Sequence, residues 1–436
     1  VAHSALDLRG EDTPETEAWG HIVDVLQKHG PTVLSALGVR IPAPGFSRLP
    51  ECVHTEALQL LRARGLECLT AVYLSFGHRN FVWLNDRPES NNSSIYINAV
   101  VNKWFVSDIC NASGVISDIE ARSESGGILR VSADRFVVAA GAIESARILL
   151  EIADAAGNRC FPSSVQIGCG LSDHLSWPVA RVHSEDRALA ANLFGPVFRH
   201  GLMRQWHFIE NSVDPVVPRH FAHFIFQLTS PGFNLAKEIL LAFQTGTAPN
   251  VKISELADGF GGLVALAYKR VVRRRLFVPR SSEVLFQLDV EQANDPANRV
   301  SLSDTLDRWG RRIAVVQWNV KERDYRNVET MSRRIISRWP APSEGFPRLL
   351  PIEHDDAISK PYDAYHPVRT CRMGSDSAAP VDFQLRVRGT ENLYVLTTGV
   401  LPSAGTANPT FTMLCLGNML SDHLYSLSRA RRVSTV

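Results

Sequence analysis

The sequence lacks most of the features that would classify it at a glance. No apolar run approaches the length of about 18 residues that a membrane-spanning helix requires, and the opening Val1–Asp7 stretch has no charged region leading into an apolar one. No G-x-S-x-G string is present, which counts against a serine hydrolase built on a nucleophile elbow. A G-x-G-x-x-G dinucleotide fingerprint is absent too: Gly168-Cys-Gly170 and Gly259-Phe-Gly-Gly262 lack the third glycine and the preceding buried strand. The seven cysteines, Cys52, Cys68, Cys110, Cys160, Cys169, Cys371 and Cys415, are odd in number and contain no C-x-x-C pair. They read as thiols of a reducing, cytoplasmic compartment rather than as zinc ligands or a disulfide framework. Asn91, Asn92 and Asn111 begin N-x-S triplets, which matter only in a secreted chain. A formal net charge of +1 gives no global attraction to nucleic acid.

What is present describes an ordinary globular chain. At 436 residues it exceeds one core, so two domains, or one with a large insertion, are expected. Apolar residues recur at helical spacing from Trp19 to Leu37 and again from Thr55 to Arg64, and residues 1–95 read as a helical and loop segment. From Ser94 the pattern changes to short strands at 95–101, 114–121 and 127–133, with Gly126-Gly127 as a turn signal. After Arg135 the run to Gly141 is continuously apolar, as in a strand covered on both faces, and good helix formers follow it from Ala142 to Glu151. A strand, a glycine turn and a helix make a nucleotide-fold element. Beyond it, 175–230 alternates strands and loops, 234–276 is mainly helical, 284–290 and 313–320 are strands, and 322–338 is a helix. The strand beginning at Leu393, a Pro/Ser/Gly loop and a helix from Thr410 repeat the earlier theme. The basic run Lys269, Arg270, Arg273, Arg274, Arg275 and Arg280 ends an apolar helix; a solvated face is the reading adopted, with an anionic membrane surface or a partner as the alternative.

Four segments in this order carry a family resemblance: Phe136-Val-Val-Ala-Ala-Gly-Ala-Ile-Glu-Ser-Ala-Arg-Ile-Leu-Leu150; Ile167-Gly-Cys-Gly-Leu-Ser-Asp-His174; Glu291-Gln-Ala-Asn-Asp-Pro-Ala-Asn-Arg-Val-Ser-Leu302 with Asp307 and Gly310; and His366-Pro-Val-Arg-Thr-Cys-Arg-Met-Gly374 through Arg386-Val-Arg-Gly-Thr-Glu-Asn-Leu-Tyr-Val395 to Ala407-Asn-Pro-Thr-Phe-Thr412. Together they resemble the glucose-methanol-choline (GMC) oxidoreductases. The loop Gly399-Val-Leu-Pro-Ser-Ala-Gly-Thr-Ala-Asn-Pro-Thr-Phe-Thr412 is most similar to the bacterial fructose and gluconate dehydrogenase branch, near the pyranose oxidases.

The resemblance implies a mixed α/β (α+β) fold. An incomplete FAD-binding Rossmann-like domain would comprise 96–174 and 366–430, and a substrate-binding domain at 175–365 would hold a mostly antiparallel sheet backed by helices. It implies FAD as cofactor and an alcohol or sugar as substrate. His366 would be the catalytic base and Asn408 its partner on the substrate hydroxyl. Val100, Ala140, Gly141, Ser145, Thr398, Gly399, Ala407, Pro409 and Thr410 would contact the flavin nucleotide. Histidine suits the base role because its ordinary pKa lies near neutrality, and alcohol oxidation needs the hydroxyl proton removed as hydride departs. A helix beginning at Thr410 would turn unpaired N–H groups toward an anionic reduced flavin.

Two departures stand out: Arg369 replaces a usual glycine, and the Asp expected near Thr398 is missing. Because the family's opening G-x-G-x-x-G segment is not found, the expectation is that a second subunit, or sequence outside this chain, supplies the ADP-binding part. The alternatives are a non-catalytic accessory subunit derived from the family and, less favoured, a lyase. His174 reads as a loop organiser, and His54, His78, His200, His207, His220 and His223 show no ligand spacing, so no metal is expected.

Overall fold

The computed structural model describes residues 2–8, 13–39, 55–74, 93–110, 113–157, 159–199, 202–211, 214, 217–228, 230–245, 247–249, 251–352 and 361–433. Asn91, Asn92, Asn111, Cys52, His54, His78 and His200 lie outside them.

The chain opens with helices α1 (Pro14–Ala36) and α2 (Thr55–Ala63), as the apolar spacing predicts. Thr13 caps α1 by accepting from the Thr16 N–H, and Pro14 takes a first-turn position that needs no N–H partner. The stretch expected to hold only helices and loops also contains strand β1 (Leu66–Tyr73). Its residues Leu66-Glu-Cys-Leu-Thr-Ala-Val-Tyr73 alternate weakly, and long-range pairing with a strand 130-odd residues later decides its state.

A three-stranded antiparallel meander follows: β2 (Val100–Cys110), β3 (Ser113–Arg122) and β4 (Ile128–Ser132). Strand β5 (Phe136–Val138) then runs into α3 (Ala142–Ala155), and β15 (Leu393–Val395) lies parallel to β5. The expectation that β5 is covered on both faces is not met, since Val137 is 43% exposed and β15 is its one strand partner among the described residues. Around this pair, α1, α3 and the last helix α8 (Thr410–Val433) bury Trp19, Ile22, Leu149, Ile152, Tyr394 and Leu416 in one core.

The larger sheet has the order β1-β8-β9-β10-β6-β13, with β7 added on β8 and β14 on β6, and its pairings are antiparallel. Its members besides β1 are β6 (His174–Val182), β7 (Val197–Arg199), β8 (Leu202–Glu210), β9 (His220–Phe226), β10 (Val284–Glu291), β13 (Leu349–Pro351) and β14 (Tyr362–Asp363). Alternation from Phe286 to Glu291 in Val284-Leu-Phe-Gln-Leu-Asp-Val-Glu291 gives this sheet two chemically different faces. Phe286, Phe208 and Phe224 point one way, into a core closed by α2, α4 (Arg187–Phe194) and α7 (Glu322–Arg338). There Trp339 meets Phe194, Phe208, Phe224 and Phe286 with ring centroids 5.2 to 5.6 Å apart. Each such ring contributes about 1.5–3 kcal/mol by leaving water. Gln287, Asp289 and Glu291 point the other way, toward the C-terminal loops. Helices α5 (Pro231–Thr245) and α6 (Ile253–Val271) are inserted between β9 and β10, and the hairpin β11 (Arg299–Leu306) and β12 (Arg312–Gln317) packs on α3.

Candidate active site

The four segments that carry the resemblance, far apart in sequence, are hydrogen-bonded to one another. The turn 167–174 threads between two of them: Gly168 N–H donates to Thr370 O (2.7 Å), Val300 N–H to Gly168 O (2.8 Å), Leu171 N–H to Asn298 O (2.9 Å) and Gln292 N–H to Asp173 O (3.0 Å). Gly168 needs to be glycine, because its φ is +77° and an added Cβ would stand 2.3 Å from Val300 O. The fourth segment joins through Thr370 Oγ1, which donates to Ala142 O (2.8 Å), and through Leu396 N–H, which donates to Val138 O (2.9 Å).

His366 sits at the centre of this weave and is half-buried. Its backbone N–H donates to both Asp173 carboxylate oxygens at 3.0 Å, and its Nδ1 lies 3.4 Å from His174 Nδ1. His174 Nε2 is 2.9 Å from Gly405 O. A carbonyl only accepts, so that Nε2 carries a proton; when His174 carries no second proton its Nδ1 is bare, and His366 donates to it from its own Nδ1. The same reasoning leaves His366 Nε2 without a proton. Burial lowers the His366 pKa to about 4, with the neighbouring His174 adding to the effect, so the ring is neutral across the physiological range. Asp173 is pushed up to about 6 by burial, against the pull of His174 and of the two backbone N–H groups it accepts.

Sequence reasoning set His174 aside, yet it fixes the tautomer of His366. It also missed the polar sheet face behind the pair. His223 Nδ1 lies 3.2 Å from Asp289 Oδ2, Ser176 Oγ donates to Asp289 Oδ1, and Tyr362 Oη donates to Gln287 Oε1 (2.7 Å). His207 stacks on Phe221 at 4.8 Å, Phe221 meets the His174 ring edge-on at 5.4 Å, and the buried His207 Nδ1 has no hydrogen-bond partner. Burial alone would raise the Asp289 pKa; His223 and Ser176 outweigh it and hold the carboxyl below its ordinary value. The signal for this wall lay in the alternation of Gln287, Asp289 and Glu291 on a strand whose other face is wholly apolar. Asp173, His174 and His366 also place ligand-type atoms within 4.8 Å of one another, an arrangement able to hold a metal that spacing did not suggest, although these atoms already serve one another and the backbone.

The loop before α8 is held from the chain's other end. His3 bridges Thr412 Oγ1 (2.7 Å) and Ala404 O (3.0 Å), Asp7 accepts from Thr406 N–H (2.7 Å), and Trp19 Nε1 donates to Ser403 Oγ (3.1 Å). Arg219 links Glu15 (3.1 Å) and Glu291 (3.0 Å), and Glu291 accepts from Gly405 N–H (2.7 Å). Arg369, with φ at +76°, ties Glu15 (3.4 Å) to Pro402 O. The charge that replaces the usual glycine is thereby spent on this strap.

Ala407 is fully buried behind the start of α8, Pro409 is buried, and Asn408 and Thr410 face outward. His174 connects His366 to the same loop three residues before Asn408. At the second expected contact region, Thr398 Oγ1 donates to Pro367 O (2.6 Å), and a Cβ on Gly399 would come within 2.5 Å of Thr370 Oγ1 and 3.3 Å of Ala142 Cα. Thr398 and Gly399 thus lie against the β5–α3 turn that contains Ala140 and Gly141. Val100 begins β2, whose sheet packs on α3. The residues present fit a nucleotide at this turn: Ala140 and Gly141 are exposed, a Cβ on Gly141 (φ +81°) would meet nothing within 4 Å, and the buried Ser145 Oγ has no hydrogen-bond partner. A cleft of about 620 Å³ lined by Asp134, Arg135, Arg386 and His423 shares no residue with the His366 cluster.

Known proteins resemble this chain in limited stretches. It is 38% identical to choline oxidase of Arthrobacter globiformis over 86 residues, 19% of this chain and 16% of that protein. It is 43% identical to the alcohol dehydrogenase [acceptor] of Pseudomonas putida over 92 residues, 19% and 17% of the two chains. With pyridoxine 4-oxidase of Microbacterium luteolum it shares 56% identity over 45 residues, 10% and 9% of the two. These stretches span less than a fifth of each relative's length. The crystal structure of pyridoxine 4-oxidase from Mesorbium loti shares the fold, with a TM-score of 0.51 at 17% identity over 89% of this chain and 71% of that one. The family model for GMC oxidoreductase matches residues 294–417, which include His366, Gly399 and Asn408, and together with these relatives it supports membership of that family.

Proposed function

We propose that this chain is the substrate-binding and proton-transfer part of an FAD-dependent oxidoreductase that oxidises a CH–OH group of an alcohol or sugar-like substrate. The observation that carries the reading is the hydrogen-bond chain from Gly405 O through His174 to His366, which, with His174 neutral, leaves His366 Nε2 free to accept a proton.

His366 accepts the hydroxyl proton of the substrate as the hydride leaves carbon, and the lowered pKa of the ring keeps it unprotonated beforehand at neutral pH. Asn408, exposed at the start of α8, offers an amide that orients the same hydroxyl without competing for its proton. FAD, when bound, supplies the two-electron acceptor for the hydride. Ala140, Gly141 and Ser145 at the α3 N-terminus, Thr398 and Gly399 beside them, Val100, and Ala407, Pro409 and Thr410 at α8 are the residues assigned to it; no residue of this chain is assigned to its pyrophosphate. The polar sheet face favours a hydroxyl-rich substrate over a plain hydrocarbon alcohol. Asp289, Gln287, Ser176 and Tyr362 present donors and acceptors there, and the unpartnered His207 Nδ1 is a position that a substrate hydroxyl would complete.

The test is to purify the chain, add FAD, and record the visible spectrum before and after a panel of polyols and sugars. A bound flavin bleached by one of them supports the proposal, and His366→Ala should abolish the bleaching. A protein that takes up no flavin favours a non-catalytic relative instead.

A further inference from the structure

The α5–α6 hairpin combines two properties that a solvated helix face does not. Its helices pack closely on each other: a Cβ on Gly232 would stand 2.5 Å from the Gly262 backbone, and one on Gly259 would stand 3.1 Å from Leu235. Neither helix packs extensively on any other element among the described residues. The hairpin instead hangs from its base, where Phe198 N–H donates to Arg274 O (2.7 Å), Leu276 N–H donates to Pro196 O (2.9 Å) and the Arg270 guanidinium lies 3.3 Å over the Phe198 ring.

On α6 and the residue that follows it, the spacing i, i+4, i+8, i+11 and i+12 sets Phe260, Val264, Tyr268, Val271 and Val272 along one stripe, and all five are 50 to 75% exposed. Leu240 and Leu241 of α5 are 41 and 49% exposed. A monomeric soluble protein seldom leaves so many large apolar side chains together in water. At the end of the stripe stand the exposed cations Lys269, Arg273 and Arg274. From 231 to 280 the sequence holds eight basic and three acidic residues, in a chain whose net charge is only +1. The cations are therefore concentrated here.

We infer that this hairpin docks the protein on an anionic lipid surface, with the α6 stripe in the headgroup and acyl boundary and Lys269, Arg273 and Arg274 on the lipid phosphates and carboxylates. Charge complementarity selects this occupant. An apolar stripe ending in long cationic side chains matches a surface that is apolar within and anionic at its rim. No described helix is long and apolar enough to cross a membrane, so the contact lies in the interface. The sequence alone favoured a solvated face because it could not show that the apolar side of α6 is left uncovered. The inference does not depend on the proposed oxidation.

The experiment is flotation of the full chain with vesicles of phosphatidylcholine alone and of phosphatidylcholine with phosphatidylserine. Binding is expected only with phosphatidylserine and should weaken as salt rises. Lys269→Gln/Arg273→Gln/Arg274→Gln should lower vesicle affinity about 100-fold, from the contribution of each cation near such a surface. Val264→Asp/Val271→Asp should abolish binding, and an unchanged thermal unfolding midpoint in both variants shows that the fold is intact. Absent binding, equal binding to both vesicle types, or a concentration-dependent dimer that Val264→Asp dissociates would each overturn the inference, the last by assigning the stripe to a second copy of this chain.

Discussion

Replacing Asp173 by Asn should make the protein more stable at neutral pH and leave it unchanged in acid. The carboxyl has a folded-state pKa of about 6 against an ordinary 3.8. Between those values the folded state holds a proton that the unfolded chain has released, so wild-type stability falls as pH rises from about 4 through 6 and stays lower above. At 1.36 kcal/mol per unit the gap amounts to about 3 kcal/mol. Asn keeps one carbonyl oxygen for the His366 and His174 N–H groups, as the protonated carboxyl does, and the stronger pull of the charged form on them is already part of the folded pKa. The net gain is about 3 kcal/mol at pH 7, vanishing near pH 4.

His366 works in the opposite direction. Its folded pKa of about 4 means that the unfolded chain takes up a proton below pH 6.5 that the folded ring refuses, which costs about 3 kcal/mol by pH 4. In the wild type the two slopes nearly cancel between pH 4 and 6, and the variant loses that cancellation. Urea denaturation of both proteins from pH 7 to pH 4 checks this. Parallel curves, or a variant less stable than wild type at pH 7, would refute the account of Asp173 as a buried carboxylate held against its preference.

Nitrogen NMR of the histidine rings should show His366 protonated on Nδ1 and bare on Nε2 at pH 7, titrating near pH 4; an Nε2–H tautomer or a midpoint near 6.5 would remove it as a standing base. Gly405→Ala should destabilise by more than about 2 kcal/mol in thermal or denaturant unfolding, because φ is +74° and the new Cβ would stand 2.6 Å from His3 Cδ2 and 2.9 Å from Asp7 Oδ1. Trp339→Ala should cost about 3–5 kcal/mol by the same measurement, since it empties the ring cluster with Phe194, Phe208, Phe224 and Phe286.

Much of this was legible from sequence where local signals and long-range packing agree. Helix α7 falls where its apolar spacing places it, from Glu322 to Arg338, and β10 follows its alternation to within a residue. The family segments also named His366 and Asn408 before any geometry was known. Strand β1 was missed because its alternation is too weak to speak without its partner β8. His174, His207 and His223 were passed over because each looks like an isolated histidine; the antiparallel register, which pairs His207 with His223 and Glu291 with His174, is what assembles them on one face. The strap was invisible for a similar reason, since nothing local in His3 or Asp7 points to a loop 400 residues away.

That strap has a consequence for how the site comes into being. The contacts from His3 to Thr412 and from Asp7 to Thr406 span sequence separations of 409 and 399 residues. Closing so large a loop is entropically costly until the two cores between its ends have already formed and brought those ends together. The 402–407 loop, and with it the carbonyl of Gly405 that sets the proton on His174, should therefore become ordered late in folding. A chain with both cores intact but an unseated strap would pass every test of secondary structure while its histidine pair remained in the wrong tautomer.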